Sequence, residues 1–227
     1  MEYVIPALNQ PSLEVKGTAA RFPVHRIYCV GRNYGDHVAE MGNDPKNPPI
    51  FFSKPADAIV ESGAQIPYPP QTENFHHELE LVVAIGLGGE DILMPNALDH
   101  VYGYGIGVDL TRRDLQTAAK NSGTPWDTAK GFDCSAPCGT LSPVSDRMHP
   151  LDARIWLTVN DEKRQETATS AMIYSVPETI AELSKLYTLV PGDLIFTGTP
   201  AGVGPLIPGD QVACGGEGLA ELEFTIK

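Results

Sequence analysis

Cysteine, aromatic residues, cations and long apolar runs are all scarce in this chain. Its four cysteines, Cys29, Cys134, Cys138 and Cys214, are too few for a disulfide framework in 227 residues, so free thiols are expected. Cys134 and Cys138 stand four apart with no second pair, which argues against a zinc knuckle. No apolar run approaches the roughly 18 residues needed to cross a bilayer. The N-terminus has no basic stretch followed by an apolar core. A cytoplasmic protein with no membrane partner is therefore expected. Lys and Arg number 16 against 29 Asp and Glu, giving a formal net charge of −13. This argues against nucleic acid as a partner, because phosphate binding needs a basic surface. An anionic substrate would need a metal or local cations to overcome the overall field.

A 42% hydrophobic content is enough for a core, but 22 Gly and 20 Pro cut the chain into short runs. That pattern favours a β-rich α+β fold. Residues 1–24, punctuated by Pro6, Pro11 and Pro23, read as an arm or initial hairpin, and residues 25–227 as a single domain. Strands are expected at 27–30, 50–53, 76–85, 102–110, 154–160, 194–197, 211–214 and 221–226. Short helices are expected at 34–41, with Asn33 as N-cap, and at 95–100, 111–120 and 175–187, the last with Pro177 in its first turn.

The most telling stretch is His76-His77-Glu78-Leu79-Glu80-Leu81. In a strand, Glu78 and Glu80 share a face, roughly 6–7 Å apart, while Leu79 and Leu81 take the other. Two carboxylates in so apolar a segment resist burial unless a cation joins them. The plainer alternative is a solvated strand face. Tyr102 to Leu110 alternates Gly103, Gly105 and Gly107 with bulky residues and ends that bare face in Asp109. Such glycines mark the close approach of a ligand or another chain segment. Asp109 is the natural third ligand, and three carboxylates suit Mg²⁺, Mn²⁺ or Ca²⁺ better than zinc. His76 and His77 are expected at the surface or behind the ligands.

Three further constellations stand out. On a helix, His37 and Glu40 share a face and can form a general base with its orienting carboxylate, though a surface contact is the plainer alternative. Lys130, beside Gly131 and near Trp126, could meet a substrate carbonyl or carboxylate. An ordinary snorkelling lysine is the simpler account of it. Thr197-Gly198-Thr199-Pro200 follows a strand but lacks the Gly-Lys-Ser/Thr ending of a phosphate loop. Its N–H groups could hold an anion, or it is a tight structural turn.

Together these motifs resemble the fumarylacetoacetate hydrolase family. The matching stretches are Gly31-Arg32-Asn33-Tyr34 with His37 and Glu40, Phe52-Ser53-Lys54-Pro55, and His77-Glu78-Leu79-Glu80-Leu81. They continue with Gly105-Ile106-Gly107-Val108-Asp109-Leu110-Thr111, Trp126 with Lys130-Gly131-Phe132-Asp133, and Thr197-Gly198-Thr199-Pro200 with Gly202-Val203-Gly204. The resemblance implies a mixed β-sandwich roll with short peripheral helices, often a homodimer. It implies that Glu78, Glu80 and Asp109 hold the cation and that His37 and Glu40 activate water. Arg32, Arg113, Gln116, Lys130 and Thr199 would surround the substrate, with Lys130 and Gln116 at the oxyanion. Arg112 departs from the small residue common before that arginine.

The implied chemistry is metal-dependent hydrolysis of the C–C bond of an acylpyruvate. The subgroup most similar around residues 22–41 hydrolyses fumarylpyruvate to fumarate and pyruvate in gentisate degradation. The alternatives are an oxaloacetate decarboxylase, a decarboxylase/isomerase of the homoprotocatechuate pathway, or a metal-binding protein without catalysis.

Overall fold

The computed structural model describes residues 3–35, 49–146 and 148–227. Two sheets carry the fold. The larger has six strands in the order Ser142–Pro143, Val101–Val108, Leu79–Ile85, Leu194–Phe196, Ile27–Gly31 and Ile50–Lys54. It is mixed: Leu194–Phe196 runs parallel to Ile27–Gly31 and antiparallel to Leu79–Ile85. The second sheet has the order Glu162–Ala168, Arg154–Val159, Gln211–Gly216, Leu222–Ile226 and Ala64–Ile66.

The Leu79–Ile85 strand explains how these layers meet. All seven of its residues are buried, as expected for a strand covered on both faces. Leu79, Leu81, Val83 and Ile85 join Ile155, Leu157, Val212 and Phe224 of the second sheet in one apolar cluster. Val82 and Ala84 point the other way, into a cluster with Cys29, Leu194, Phe196, Leu13 and Phe22. The last two belong to a hairpin that pairs Ser12–Glu14 with Arg21–Pro23. Truncating a fully buried leucine such as Leu81 to alanine would cost about 2–5 kcal/mol.

Three α-helices lie within the described residues: α1 (Arg113–Ser122), α2 (Asp127–Lys130) and α3 (Val176–Ser184). Gly123, at φ 65°, ends α1 and donates its N–H to the Ala119 and Lys120 carbonyls. Ser175 and Glu178 form a capping box on α3, with Pro177 in its first turn. Among the described residues no helix is long and apolar enough to cross a membrane.

The structure corrects several sequence expectations. The segment expected as one strand through Glu78 is two: Phe75–His77 pairs with Thr111–Arg112 and Gly204–Pro205, and Leu79–Ile85 enters the six-stranded sheet. Glu78 sits at the switch between them. The helix expected from 111 starts at Arg113, while the short helix expected at 95–100 is present as the 3-10 helix Met94–His100. The helix expected over 34–41, with Asn33 as its cap, lies largely outside the described residues, and among those described the Asn33 side chain bonds two distant segments. Its amide donates to the carbonyls of Tyr174 and Thr197 and accepts from the Tyr174 N–H.

Nor is the glycine-lined face of Val101–Val108 open to a ligand. A Cβ at Gly103 would lie 2.6 Å from the Ser142 carbonyl, and one at Gly107 2.6 Å from both Phe196 and Val82 side chains. At Gly105 the nearest atom is in the Leu141 side chain, 3.1 Å away. Other chain segments fill the space, and the glycines let them close over the strand.

Candidate active site

Three elements deliver the acidic cluster. Glu78 comes from the switch between sheets, Glu80 from the Leu79–Ile85 strand opposite Gly107, and Asp109 from the end of the Val101–Val108 strand. The Asp109 N–H donates to the Glu78 carbonyl at 2.8 Å, which locks the two chain segments together. One oxygen from each of the three carboxylates lies within 4.8 Å of the others. Their exposures are 5%, 1% and 0%. This decides against the solvated-face alternative.

Buried like charges must be compensated. Lys130 Nζ donates to Glu78 Oε2 at 2.8 Å, to Asp109 Oδ2 at 2.7 Å and to Thr111 Oγ1 at 2.7 Å. Lys54 Nζ ion-pairs with Asp109 Oδ1 at 2.8 Å, and also donates to the carbonyls of Leu110 and Lys130. Arg113 pairs with Glu78 Oε1 and donates to Gln116 Oε1 at 2.6 Å. Glu80 accepts the Gly198 N–H at 2.7 Å. Burial, reinforced by the Asp109 and Glu78 charges, holds the Glu80 carboxyl well above the usual range. Burial pulls Lys130 down, but the Asp109 and Glu78 carboxylates outweigh it and hold the ammonium above its ordinary pKa. The Lys130 ammonium thus serves as a hydrogen-bond donor to Glu78, Asp109 and Thr111.

The donor set fits a hard divalent cation. It consists of carboxylate oxygens converging on one point, with no cysteine or histidine among them. All four cysteines are free. Both neighbouring histidines are engaged elsewhere. His76 Nε2 lies 2.6 Å from Asn74 Oδ1, and its Nδ1 accepts from Arg113 Nε at 3.4 Å. Burial first, and Arg113 second, lower the His76 pKa to about 4. His77 Nδ1 lies 3.0 Å from Gln165 Oε1, which also accepts the Leu79 N–H, so Nδ1 carries the proton.

Over the cluster lies a narrow cleft with a cavity volume of about 30 Å³, lined by Arg32, Phe52, Glu78, Glu80, Arg113, Gln116, Lys120, Trp126, Lys130 and Thr199 among others. It gathers the sequence candidates Arg32, Arg113, Gln116, Lys130 and Thr199. Asp109 lies beneath, held by Lys54 and Lys130. Lys130 is 2% exposed, so it is no snorkelling side chain. Arg113 faces the cleft, whereas Arg112 stacks 4.4 Å over the Phe132 ring. His37 and Glu40 lie outside the described residues. Gly198, at φ 96°, lets the turn after Phe196 aim an N–H at an anion, and the anion is the protein's own Glu80.

Sequence reasoning missed three participants. Lys54 shares strand parity with Phe52, which lines the cleft, and that alternation was its signal. Lys120 follows Arg113 and Gln116 at helical spacing, seven and four residues on, which places all three along one side of α1. Gln165 gave no local signal. Its Nε2 donates to Thr199 Oγ1 at 2.9 Å and to the Pro200 carbonyl at 3.0 Å, tying the Thr199 turn to the Glu78 switch.

Known proteins share this architecture. A fumarylpyruvate hydrolase from Pseudomonas aeruginosa, solved in complex with Mn²⁺ and pyruvate, superposes with a TM-score of 0.97 at 47% identity, covering 99% of both chains. A mitochondrial oxaloacetate tautomerase of Mus musculus is 44% identical over 88% of this chain and 91% of its own length. Another, from Oryza sativa subsp. japonica, is 41% identical over 89% of this chain and 91% of its own. The fumarylacetoacetate (FAA) hydrolase C-terminal family matches residues 26–227. With its strand-rich α+β architecture and nearly its whole length matched, the chain belongs to the fumarylacetoacetate hydrolase family.

Proposed function

We propose that this protein hydrolyses the C–C bond of an acylpyruvate, with fumarylpyruvate giving fumarate and pyruvate. The observation that carries the proposal is the buried Glu78, Glu80 and Asp109 cluster beneath a cleft lined by Lys130, Gln116 and Arg113. The 47% identity to a fumarylpyruvate hydrolase that binds Mn²⁺ and pyruvate supports the substrate. A divalent cation, Mg²⁺ or Mn²⁺ with Ca²⁺ as a further choice, held by the three carboxylates would supply Lewis acidity toward a 2-oxo acid.

The chain's own groups have defined tasks in this proposal. His37 takes a proton from the attacking water, and Glu40 stabilises the imidazolium. Lys130, whose three N–H donors go to Glu78, Asp109 and Thr111, releases one of them to the oxyanion that develops on the distal carbonyl. Gln116 spends its oxygen on Arg113, which leaves its amide N–H groups for the same oxyanion. Arg113 also fixes Glu78, so it orients the floor of the site and its wall together. Arg32 and Thr199 border the substrate. The departing pyruvate enolate is then reprotonated. Residues 25–227 form the catalytic domain, working as a homodimer in aromatic-acid catabolism, as the sequence resemblance implies.

A second reading is chemistry on oxaloacetate, favoured by the oxaloacetate tautomerases at 41–44% identity. Assaying fumarylpyruvate and oxaloacetate side by side with Mn²⁺ separates the two. Release of fumarate and pyruvate in equal amounts supports hydrolysis. Turnover of oxaloacetate alone, by protein shown to be folded, overturns it.

A further inference from the structure

Three of the cations at this site are already spent on the acidic cluster: Lys54 on Asp109, Lys130 on Glu78 and Asp109, and Arg113 on Glu78. Two others line the same cleft without a carboxylate partner among the described residues, Lys120 and Arg32. Lys120 is half-buried, and its ammonium lies 5.3 Å from the centre of the Trp126 ring. Arg32 is held at φ 66°, a left-handed conformation that non-glycine residues seldom adopt. Strain of this kind persists where the surroundings fix it and concentrates at ligand sites.

Like charges held together without a counter-ion are costly, and the cost is visible at Lys120. Burial first, then the Arg113 charge, lower its pKa to about 8, with Lys130 and Arg32 acting in the same direction and Glu78 against them. Five cations, Arg32, Lys54, Arg113, Lys120 and Lys130, therefore stand against the three carboxylates of the cleft and its floor. This local excess sits in a chain of net charge −13. A bound cation at the carboxylates would add to it. Among the described residues no carboxylate balances the Lys120 and Arg32 side of the cleft, which suits that side to an anionic ligand.

We propose that Lys120, with Arg32, forms a second anion subsite that receives the distal carboxylate of a dicarboxylic 2-oxo acid, so that Lys120 selects acyl tails ending in a negative charge. The proposal deepens the acylpyruvate reading and rests on its placement of the 2-oxo acid end at the acidic cluster. Lys120 lies two helical turns beyond Arg113, roughly 10 Å along the axis. Its side chain leans back toward the N-terminus of α1 and so toward the cleft. A subsite there suits a ligand longer than pyruvate. Trp126 supplies an apolar face beside the ammonium, which lets the tail lie flat while its carboxylate meets the charge.

Equilibrium binding tests this without turnover. Calorimetry on the Mn²⁺-loaded protein would compare pyruvate with 2-oxoadipate, which keeps the 2-oxo acid end and adds a distal carboxylate. Wild type is expected to bind 2-oxoadipate more tightly than pyruvate. Lys120→Gln should weaken 2-oxoadipate roughly 10- to 100-fold, the worth of a charge-assisted contact, and leave pyruvate within about two-fold. Lys120→Arg should restore most of the loss. Equal affinity of wild type for the two ligands, or an equal loss of both in Lys120→Gln, overturns the subsite. Fumarylpyruvate left unhydrolysed by a wild type that still shows the Lys120-dependent preference sinks the hydrolase reading alone.

Discussion

Gly198 donates its N–H to Glu80 Oε2 at 2.7 Å from a backbone conformation, φ 96°, that favours glycine. A Cβ there would stand 2.7 Å from the Asn33 Cβ and 3.0 Å from the Val30 carbonyl. The turn after Phe196 therefore positions the most buried glutamate of the cluster. Gly198→Ala is expected to lower stability by about 1–3 kcal/mol through backbone strain and to shrink the rise in Tm that Mn²⁺ gives wild type. Thermal melts with and without Mn²⁺ measure both effects. An unchanged metal response would show that Glu80 does not depend on this turn.

Lys54 is the second test. Its ammonium is fully buried and pairs with Asp109 while donating to two carbonyls. Lys54→Met keeps the apolar stem but strands Asp109 with one fewer cation. Removing one partner of a buried ion pair costs roughly 3–5 kcal/mol. Denaturant unfolding of the metal-free variant should show a loss of that order. A loss under about 1 kcal/mol would mean that the pair is dispensable.

The neighbouring arginines separate position from identity. Arg113 binds Glu78 and Gln116, whereas Arg112 lies over Phe132. Arg113→Lys is expected to lower kcat/KM by about 100-fold or more, since a point charge cannot replace the planar fork. Arg112→Gln should stay within a few-fold and lose about 0.5–2 kcal/mol of stability with its ring contact. The reverse ranking would place the wrong arginine in the cleft.

The pH dependence of ligand binding follows from Lys120. Its pKa is lowered to about 8 by burial and by the Arg113 charge. Above that pH the free ammonium loses its proton, so affinity for a dicarboxylic 2-oxo acid should fall as pH rises through about 8 and beyond, while pyruvate affinity falls less. A bound carboxylate raises the Lys120 pKa, so the complex deprotonates at higher pH than the free protein. Affinities measured across pH 6.5–9.5 for wild type and Lys120→Gln check the sign. The variant should lose the difference between the two ligands.

Much of this site is legible in the sequence because its residues are odd where they stand. Glu78 and Glu80 interrupt a run that is otherwise apolar, and Asp109 ends a strand whose alternate residues are glycines. Such conflicts between pattern and residue type tend to mark function. The alternation also gave the strands themselves, since side-chain parity in a strand is fixed by covalent geometry. What parity could not reveal is a change of sheet. Glu78 leaves one sheet as Leu79 enters another, and the pairing that causes this comes from Thr111–Arg112 and Gly204–Pro205, distant in the chain. The glycine row signals close approach by a ligand or by another chain segment, and parity cannot choose between them; Ser142, Leu141 and Phe196 are what fill it. Gln165 was invisible for the same reason: its four bonds run to residues 34 to 88 positions away.

The central claim is that Glu78, Glu80 and Asp109 hold a divalent cation on which hydrolysis depends. The most direct measurement is Mn²⁺ titration, followed by product analysis with fumarylpyruvate, on wild type and Glu80→Gln. Wild type should bind one ion per chain and release fumarate and pyruvate only when loaded, with EDTA abolishing release. Glu80→Gln, with its fold checked by circular dichroism, should lose both binding and turnover. Metal binding or EDTA-sensitive turnover unchanged in Glu80→Gln, or full turnover by wild type in EDTA, would contradict the account.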